Sequence, residues 1–366
     1  MYRPLWIEVD LKALADNLKR IKQGVGKGVK IMVTLKQQAY GHGLLALARE
    51  CLSRGADFFG LGDLDEAITL RKKGFKNPIL ILSAVMPADA KEFVKYNVIP
   101  TLVDLKFARQ LNKQAKKKKK IVGVHIKIDT GMGRLGVWHE ESLSFVKKIA
   151  ALENLRMEGL YTHFPCADTD RNFTLGQIRI FNRLAGALKI AGITFKYLHC
   201  ANSIGILNYN QAHFNLVRPG LILYGIDPSG RDNNFSPLLS LKSKVIFMKK
   251  VDKGRSVSYG RTFIAKEATT IATVAAGYAD GYPWHLSNRA KVIINDKVYN
   301  VAGRVCMDHI MVDVGKNASA KVNDKVILIG KSRNHKISAE DLASWAGTIP
   351  YEIVSRLSLK IPRFYK

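Results

Sequence analysis

Between residues 29 and 220, short and nearly continuous apolar runs alternate with longer stretches of helical period. The apolar runs span residues 29–36, 57–62, 78–82, 99–103, 122–129, 155–164, 195–201 and 214–220. Between them lie segments such as LLALARECLSRG, DLDEAITLRKKG, ESLSFVKKIAAL and IRIFNRLAGALKIAG, in which apolar positions recur every three or four residues. A strand with one wet face alternates apolar and polar. These runs do not alternate, so both of their faces should be covered, as in a parallel sheet flanked by helices. Eight strand–helix units predict an α/β fold with an N-terminal (β/α)8 barrel of the TIM type. An open, doubly wound sheet is the alternative, but no Gly-x-Gly-x-x-Gly follows the first run.

Beyond residue 236 the pattern changes. LLSLKSKVIFMKKV, TTIATVAAG, AKVIINDKVYNVAG, HIMVDVG and KVILIG are strand-like and closely spaced, with INDK as a hairpin turn. In this half only SAEDLASWAG reads clearly as a helix, with Ser338 as its N-cap and Asp341 three residues on. We therefore expect a barrel over residues 8–230 and a mainly β domain over residues 231–366. The two are linked through residues 227–236, and an N-terminal strand, residues 1–7, joins the second domain.

Composition narrows the class. The 366 residues are 47% apolar and 24% charged, ordinary for a folded protein of about two domains. The net charge of +28 raises nucleic-acid binding as a reading. The charge is spread along the chain, however, and its densest run, KQAKKKKK, has no interleaved aromatic residues, so a solvated helix end is the better account. Cys51, Cys166, Cys200 and Cys306 form no Cys-x-x-Cys pair and no zinc-ligand spacing, which points to free thiols in a reducing compartment. The N-terminus has no apolar signal core, and no run is long enough to span a bilayer. These features predict a cytoplasmic protein that binds neither membrane nor nucleic acid, and no metal site.

A barrel of this type carries its chemistry at the C-terminal ends of its strands. There the sequence places Lys36, then Arg134 in the glycine-rich DTGMGRLG, His163 in YTHF, Asn202 and Ser203 in HCANS, and Arg218 and Gly220 in VRPG. Taken singly, each has an ordinary reading: a surface cation, a core histidine, a helix cap for IGILN at Ser203, a turn. Ser203 and Gly220 fall after strands seven and eight, where such barrels often hold phosphate. An amine opposite a phosphate site suggests pyridoxal 5'-phosphate (PLP) held as a Schiff base.

These motifs, in the order LKQQAYGHG, KIDTGMGRLG, THF, HCANS, VRPG, VSYG, GYADGYP, GRVCMD and PYEI, resemble those of the alanine racemases, the fold-type III PLP-dependent racemases. The match is collinear from Trp6 to the C-terminus. The resemblance implies interconversion of L- and D-alanine by two-base proton transfer, supplying D-alanine for peptidoglycan, with a broader amino-acid racemase of the same fold as the alternative. It implies that Lys36 carries the cofactor and acts as one base, and that Tyr259 acts as the other. Tyr40, Ser203, Gly220, Leu221 and Tyr351 would hold the phosphate. Arg218 would face the pyridine nitrogen with His163 nearby, and Leu82 and Asn202 would complete the cofactor site. Arg134 and Met307 would bind the substrate carboxylate, and Lys127 matches a lysine that is often carbamylated. Tyr259 and Met307 would reach the barrel of a partner subunit, which implies a head-to-tail homodimer with shared active sites. The chain departs from the family at Gln37 and Gln38, where Lys-Ala-Asn-Ala-Tyr-Gly is usual, and at Pro165 and Cys166.

Overall fold

The computed structural model describes residues 3–227 and 234–366. The chain opens with β1 (Leu5–Val9) and a helix, Leu11–Val25, capped by Asp10. Parallel strands follow: β2 (Lys30–Thr34), β3 (Phe58–Leu61), β4 (Ile79–Ile81), β5 (Thr101–Leu102) and β6 (Val122–Asp129). After a short β7 (Val137–Trp138), which pairs with β6, come β8 (Leu155–Tyr161), β9 (Tyr197–His199) and β10 (Leu216–Val217). Every one of the eight predicted strands is present.

The sheet closes on itself. β10 pairs with β2, the pair Leu80 and Ile99 bridges β4 towards β5, and the Arg218 amide donates to Ala201 O at 3.0 Å between β10 and β9. The doubly wound alternative would have left open edges. Strands such as β2 are buried on both faces from Ile31 to Thr34, which explains the missing alternation in their sequence. Helices including Leu44–Ser53, Leu64–Lys72, Leu105–Lys117 and Arg171–Ile190 supply the outer layer. The lysine run continues the end of Leu105–Lys117 and is solvated, as expected.

The C-terminal half holds β11 (Leu239–Val251), the short hairpin β12 (Ser256–Val257) and β13 (Phe263–Ile264), then β14 (Thr269–Val274), β15 (Lys291–Ile294), β16 (Lys297–Val301), β17 (Ile310–Asp313), β18 (Lys325–Lys331), β19 (Lys336–Ile337) and β20 (Arg363–Tyr365). Six of these close an antiparallel barrel in the order β11-β14-β17-β16-β15-β18 and back to β11. The INDK turn joins β15 and β16 with Asn295 and Asp296 both left-handed, as a tight hairpin requires. Strand β1 pairs with β11 and β20, so the N-terminal strand belongs to the second domain's sheet. Ser338 and Asp341 form the expected capping box. A second helix, Pro350–Ser355, was not read from the sequence; six residues show too little of a helical period, although Pro350 at its first turn is a start signal. The expected boundary at 230/231 lies outside the described residues.

Candidate functional site

The chain leaves β2 into Lys36 and turns at once into an unusual conformation. Gln37, Gln38, Ala39 and Tyr40 are all left-handed, with φ of 53°, 54°, 54° and 52°. Such backbone costs an L-residue about 1–2 kcal/mol each, so surrounding contacts must impose it. Within the turn the Ala39 amide donates to Leu35 O at 2.8 Å and the Gly43 amide to Gln38 O at 2.8 Å. From the barrel side, Glu66 Oε1 accepts the Gln38 amide at 2.7 Å. From the second domain, Arg363 Nε donates to Gly41 O at 2.8 Å and the Tyr365 hydroxyl to His42 O at 3.2 Å. Gly41, at φ 79°, lies so close to helix Pro350–Ser355 that an added Cβ would sit 2.1 Å from Val354 O.

This turn aims Tyr40 at the loops after β9 and β10. A Cβ on Gly220 would lie 3.2 Å from the Tyr40 hydroxyl and 3.6 Å from Ser203 Oγ. Ser203 Oγ accepts the Gly220 amide at 3.0 Å. The helix cap predicted as one reading of Ser203 falls instead to Asn202, whose side chain accepts the Gly205 amide at 2.9 Å. That frees Ser203 to face Gly220. The Leu221 amide opens the single turn Leu221–Tyr224 and so has no carbonyl of that turn to bond. The Tyr40 ring is buried between Tyr224, 4.9 Å away between centroids, and Tyr351, at 6.2 Å. Burial raises the Tyr40 and Tyr351 phenols, keeping them neutral donors.

The barrel interior beneath is strongly positive. Arg218 is buried, and no carboxylate among the described residues pairs with it. Its terminal nitrogens donate to Thr162 O at 2.7 Å, Cys200 O at 2.9 Å, His199 O at 2.9 Å and His199 Nδ1 at 2.7 Å. Tyr161 stacks on His199 at 4.6 Å, bonds Thr101 Oγ1 at 2.7 Å, and carries both Arg218 and the Lys127 amine against its ring. Partial desolvation and Arg134 hold the Lys36 amine below the usual lysine range, while Glu66 opposes them. Burial, Arg134 and Arg218 push buried Lys127 down to about 8. Burial and the nearby Arg218 hold His163 and His199 well below ordinary histidine, hence neutral. Arg134 sits on the loop after β6, shaped by Asp129, whose Oδ1 accepts the Gly131 and Met132 amides at 2.8 Å each. Leu82 follows β4, and its carbonyl faces the Tyr161 hydroxyl at 3.5 Å.

Lys36, Tyr40, Leu82, Lys127, Arg134, His163, Asn202, Ser203, Arg218, Gly220, Leu221 and Tyr351 therefore gather at one barrel end. Tyr259 and Met307 stand apart from them. Tyr259 lies at the tip of the β12–β13 hairpin, 70% exposed, before Gly260, which packs against Arg304, and Met307 is 54% exposed on the loop that receives the Tyr278 and Ala279 amides. The sequence reading missed Glu66, Tyr161 and His199. Glu66 reads as an ordinary first-turn acid in DLDEAITL, and the other two as strand residues. A separate cavity of about 500 Å³ between helix Leu11–Val25 and the second domain is lined by Glu8, Asp16, His42, Tyr224, Lys336 and Glu340, with mixed charge and none of the residues gathered at the barrel end.

Comparison with known proteins gives a consistent picture. Residues 9–228 match the family described as alanine racemase, N-terminal domain, and residues 238–365 match alanine racemase, C-terminal domain. The alanine racemase of Carboxydothermus hydrogenoformans is 42% identical, over 99% of this chain and 100% of its own length. That of Halothermothrix orenii is 40% identical, over 100% of this chain and 97% of its own. Among solved structures, alanine racemase from Bacillus anthracis with bound L-Ala-P superposes with a TM-score of 0.94 at 35% identity, covering 100% of this chain and 96% of that one. Alanine racemase from E. faecalis gives 0.94 at 32%, covering 100% and 99%.

Proposed function

The chain belongs to the alanine racemase family, and on that premise we propose that it interconverts L- and D-alanine by moving a proton on and off Cα from two sides, with PLP held at the barrel mouth. The observation that carries this reading is the convergence of the Tyr40 hydroxyl, Ser203 Oγ and the Gly220 backbone beside an amine of lowered basicity. The residues fit that cofactor. The Tyr40 hydroxyl makes no hydrogen bond to any described residue, a side chain larger than that of Gly220 would fill the cradle, and the surrounding charge is positive. When bound, PLP supplies an aldehyde that captures an amino group and a ring that draws electrons from the adjacent Cα–H bond.

The protein's own groups divide the remaining work. Lys36 would hold the aldehyde and, once free of it, would accept or return the Cα proton from one side. Its lowered basicity suits that exchange near neutral pH. Tyr259 serves the other side, so that proton removal by one base and return by the other inverts Cα. Arg218, fixed by four hydrogen bonds, would face the pyridine nitrogen as a donor that does not readily give up its proton, which would leave that nitrogen unprotonated and the ring a weaker electron sink. Arg134 and the Met307 amide receive the substrate carboxylate. Tyr351 crowds the cradle and favours a side chain as small as alanine's. Lys127 at about 8 carries a substantial neutral fraction, the form that adds CO2 to become a carbamate beside Arg134.

Tyr259 and Met307 are exposed on the second domain. This supports a head-to-tail homodimer in which each subunit completes its partner's site. All four cysteines are free, and among the described residues no helix is long and apolar enough to cross a membrane; the free thiols support a reducing cytoplasm, where D-alanine would enter peptidoglycan synthesis. The test is conversion of L-alanine to D-alanine by the purified protein with PLP. Lys36→Ala should abolish both directions, and Tyr259→Phe should impair the two directions with different deuterium isotope effects. Full activity in the lysine variant refutes the assignment.

A further inference from the structure

Glu66 has no role in the reading above, yet it is buried at the foot of the most strained backbone in the barrel. It lies in helix Leu64–Lys72, three residues after the N-cap Asp63, whose carboxylate accepts the Glu66 amide at 2.9 Å. A glutamate at that position ordinarily reaches back to the amide of its own N-cap. Here it reaches across to another segment, where Oε1 takes the Gln38 amide at 2.7 Å. Burial raises its carboxyl above the usual range, and the Gln38, Gln37 and Gly62 amides oppose that by favouring the ionised form. The Gln38 amide it holds belongs to a residue at φ 54°, so the carboxylate bonds the backbone in its left-handed form.

We propose that Glu66 is a positioning residue: its carboxylate holds the left-handed turn Gln37–Tyr40, so that Lys36 and Tyr40, at the two ends of that turn, both face the barrel mouth. The consequence for catalysis rests on the reading of Lys36 as the cofactor-bearing base. Without the carboxylate, four non-glycine residues have reason to relax towards right-handed backbone, and the amine and the phosphate-side hydroxyl lose their mutual register. The charge acts as well. The ionised carboxylate favours the protonated Lys36 amine against Arg134 on the glycine loop. Asp63 at the helix start and the Tyr224 phenol are the other titratable groups that feel Glu66. Because the Gln38 contact is made by its backbone amide, it places no demand on the Gln37 and Gln38 side chains.

The test uses Glu66→Gln, which keeps an acceptor oxygen without charge, and Glu66→Leu, which removes both. Leu111→Ala, in the core of helix Leu105–Lys117, controls for lost stability. The first readout needs no cofactor: the pH dependence of Lys36 acylation, followed by peptide mass spectrometry on PLP-free protein. The second is the affinity for PLP, and the third is kcat and KM of the loaded enzyme. Glu66→Gln should move the Lys36 profile to lower pH by roughly half a unit to one unit and leave PLP affinity within about threefold. Glu66→Leu should weaken PLP binding roughly ten- to hundredfold, the range a hydrogen bond to a charged group carries, and lower kcat more than it raises KM. Leu111→Ala should lower Tm without moving the Lys36 profile. An unmoved profile in Glu66→Gln, or PLP affinity within about twofold of wild type in Glu66→Leu, overturns the proposal. A wild-type protein that fails to racemise alanine would instead sink the proposed function, and the acylation readout would still judge Glu66.

Discussion

Gly220→Ala places one methyl group in the anion cradle and leaves the rest of the site alone. The new Cβ would sit 3.2 Å from the Tyr40 hydroxyl, 3.6 Å from Ser203 Oγ and 3.8 Å from Tyr40 Cζ. The first distance is too short for comfort, and Tyr40 must give by a few tenths of an ångström. Its ring is wedged between Tyr224 and Tyr351, so little room exists for that motion. One methyl at this separation should cost about 1 kcal/mol of stability, and the fold should survive. Binding is affected more. The methyl occupies space where a phosphate oxygen would meet the two hydroxyls, and each hydrogen bond lost to a charged group is worth about 1.5–3 kcal/mol. One such loss raises Kd roughly 10- to 100-fold. The assay titrates PLP-free protein with PLP and, separately, with pyridoxal, which lacks the phosphate. PLP should weaken by that factor, and pyridoxal should change by less than about twofold. Equal weakening of the two ligands, or unchanged PLP affinity, would refute the cradle.

Other consequences can be measured independently. If sites are shared between subunits, mixing inactive Lys36→Ala with impaired Tyr259→Phe and allowing exchange should raise activity to about a quarter of wild type, because half the dimers are mixed and each has one intact site; no gain after proven exchange would exclude the shared site. Lys127 should give a carbamate signal in ¹³C NMR with labelled bicarbonate, weakening as pH falls below about 8 because the reactive neutral amine is lost; the signal should vanish in Lys127→Ala. Burial holds His42 down at about 4. The unfolded chain therefore takes up a proton near the ordinary value of 6.5 before the folded one does, and this contribution is present above 6.5 and lost as pH falls towards 4. His42→Gln should flatten the urea-measured stability profile across that window by up to about 1.4 kcal/mol per pH unit, and an unchanged slope would contradict burial of the neutral ring.

The periodicity of the sequence determined most of the architecture. Runs such as VKIMVT are apolar on both faces because helices and barrel interior cover both, and that pattern is local enough to read directly. Strand ends could be read the same way, which located Lys36, Arg134, His163, Ser203, Arg218 and Gly220 before any distance was known. Some outcomes depended on groups far apart in the chain. Asn202, not Ser203, caps Ser203–Asn208, because Ser203 is drawn to Gly220, seventeen residues on. The left-handed turn after Lys36 runs against the preference of every residue in it. Glu66 takes an amide within it, and Arg363 and Tyr365 hold the carbonyls of Gly41 and His42 just beyond it. Propensity describes what a segment prefers alone. Where long-range hydrogen bonds outweigh that preference, as they do around Lys36, only the tertiary structure decides the conformation.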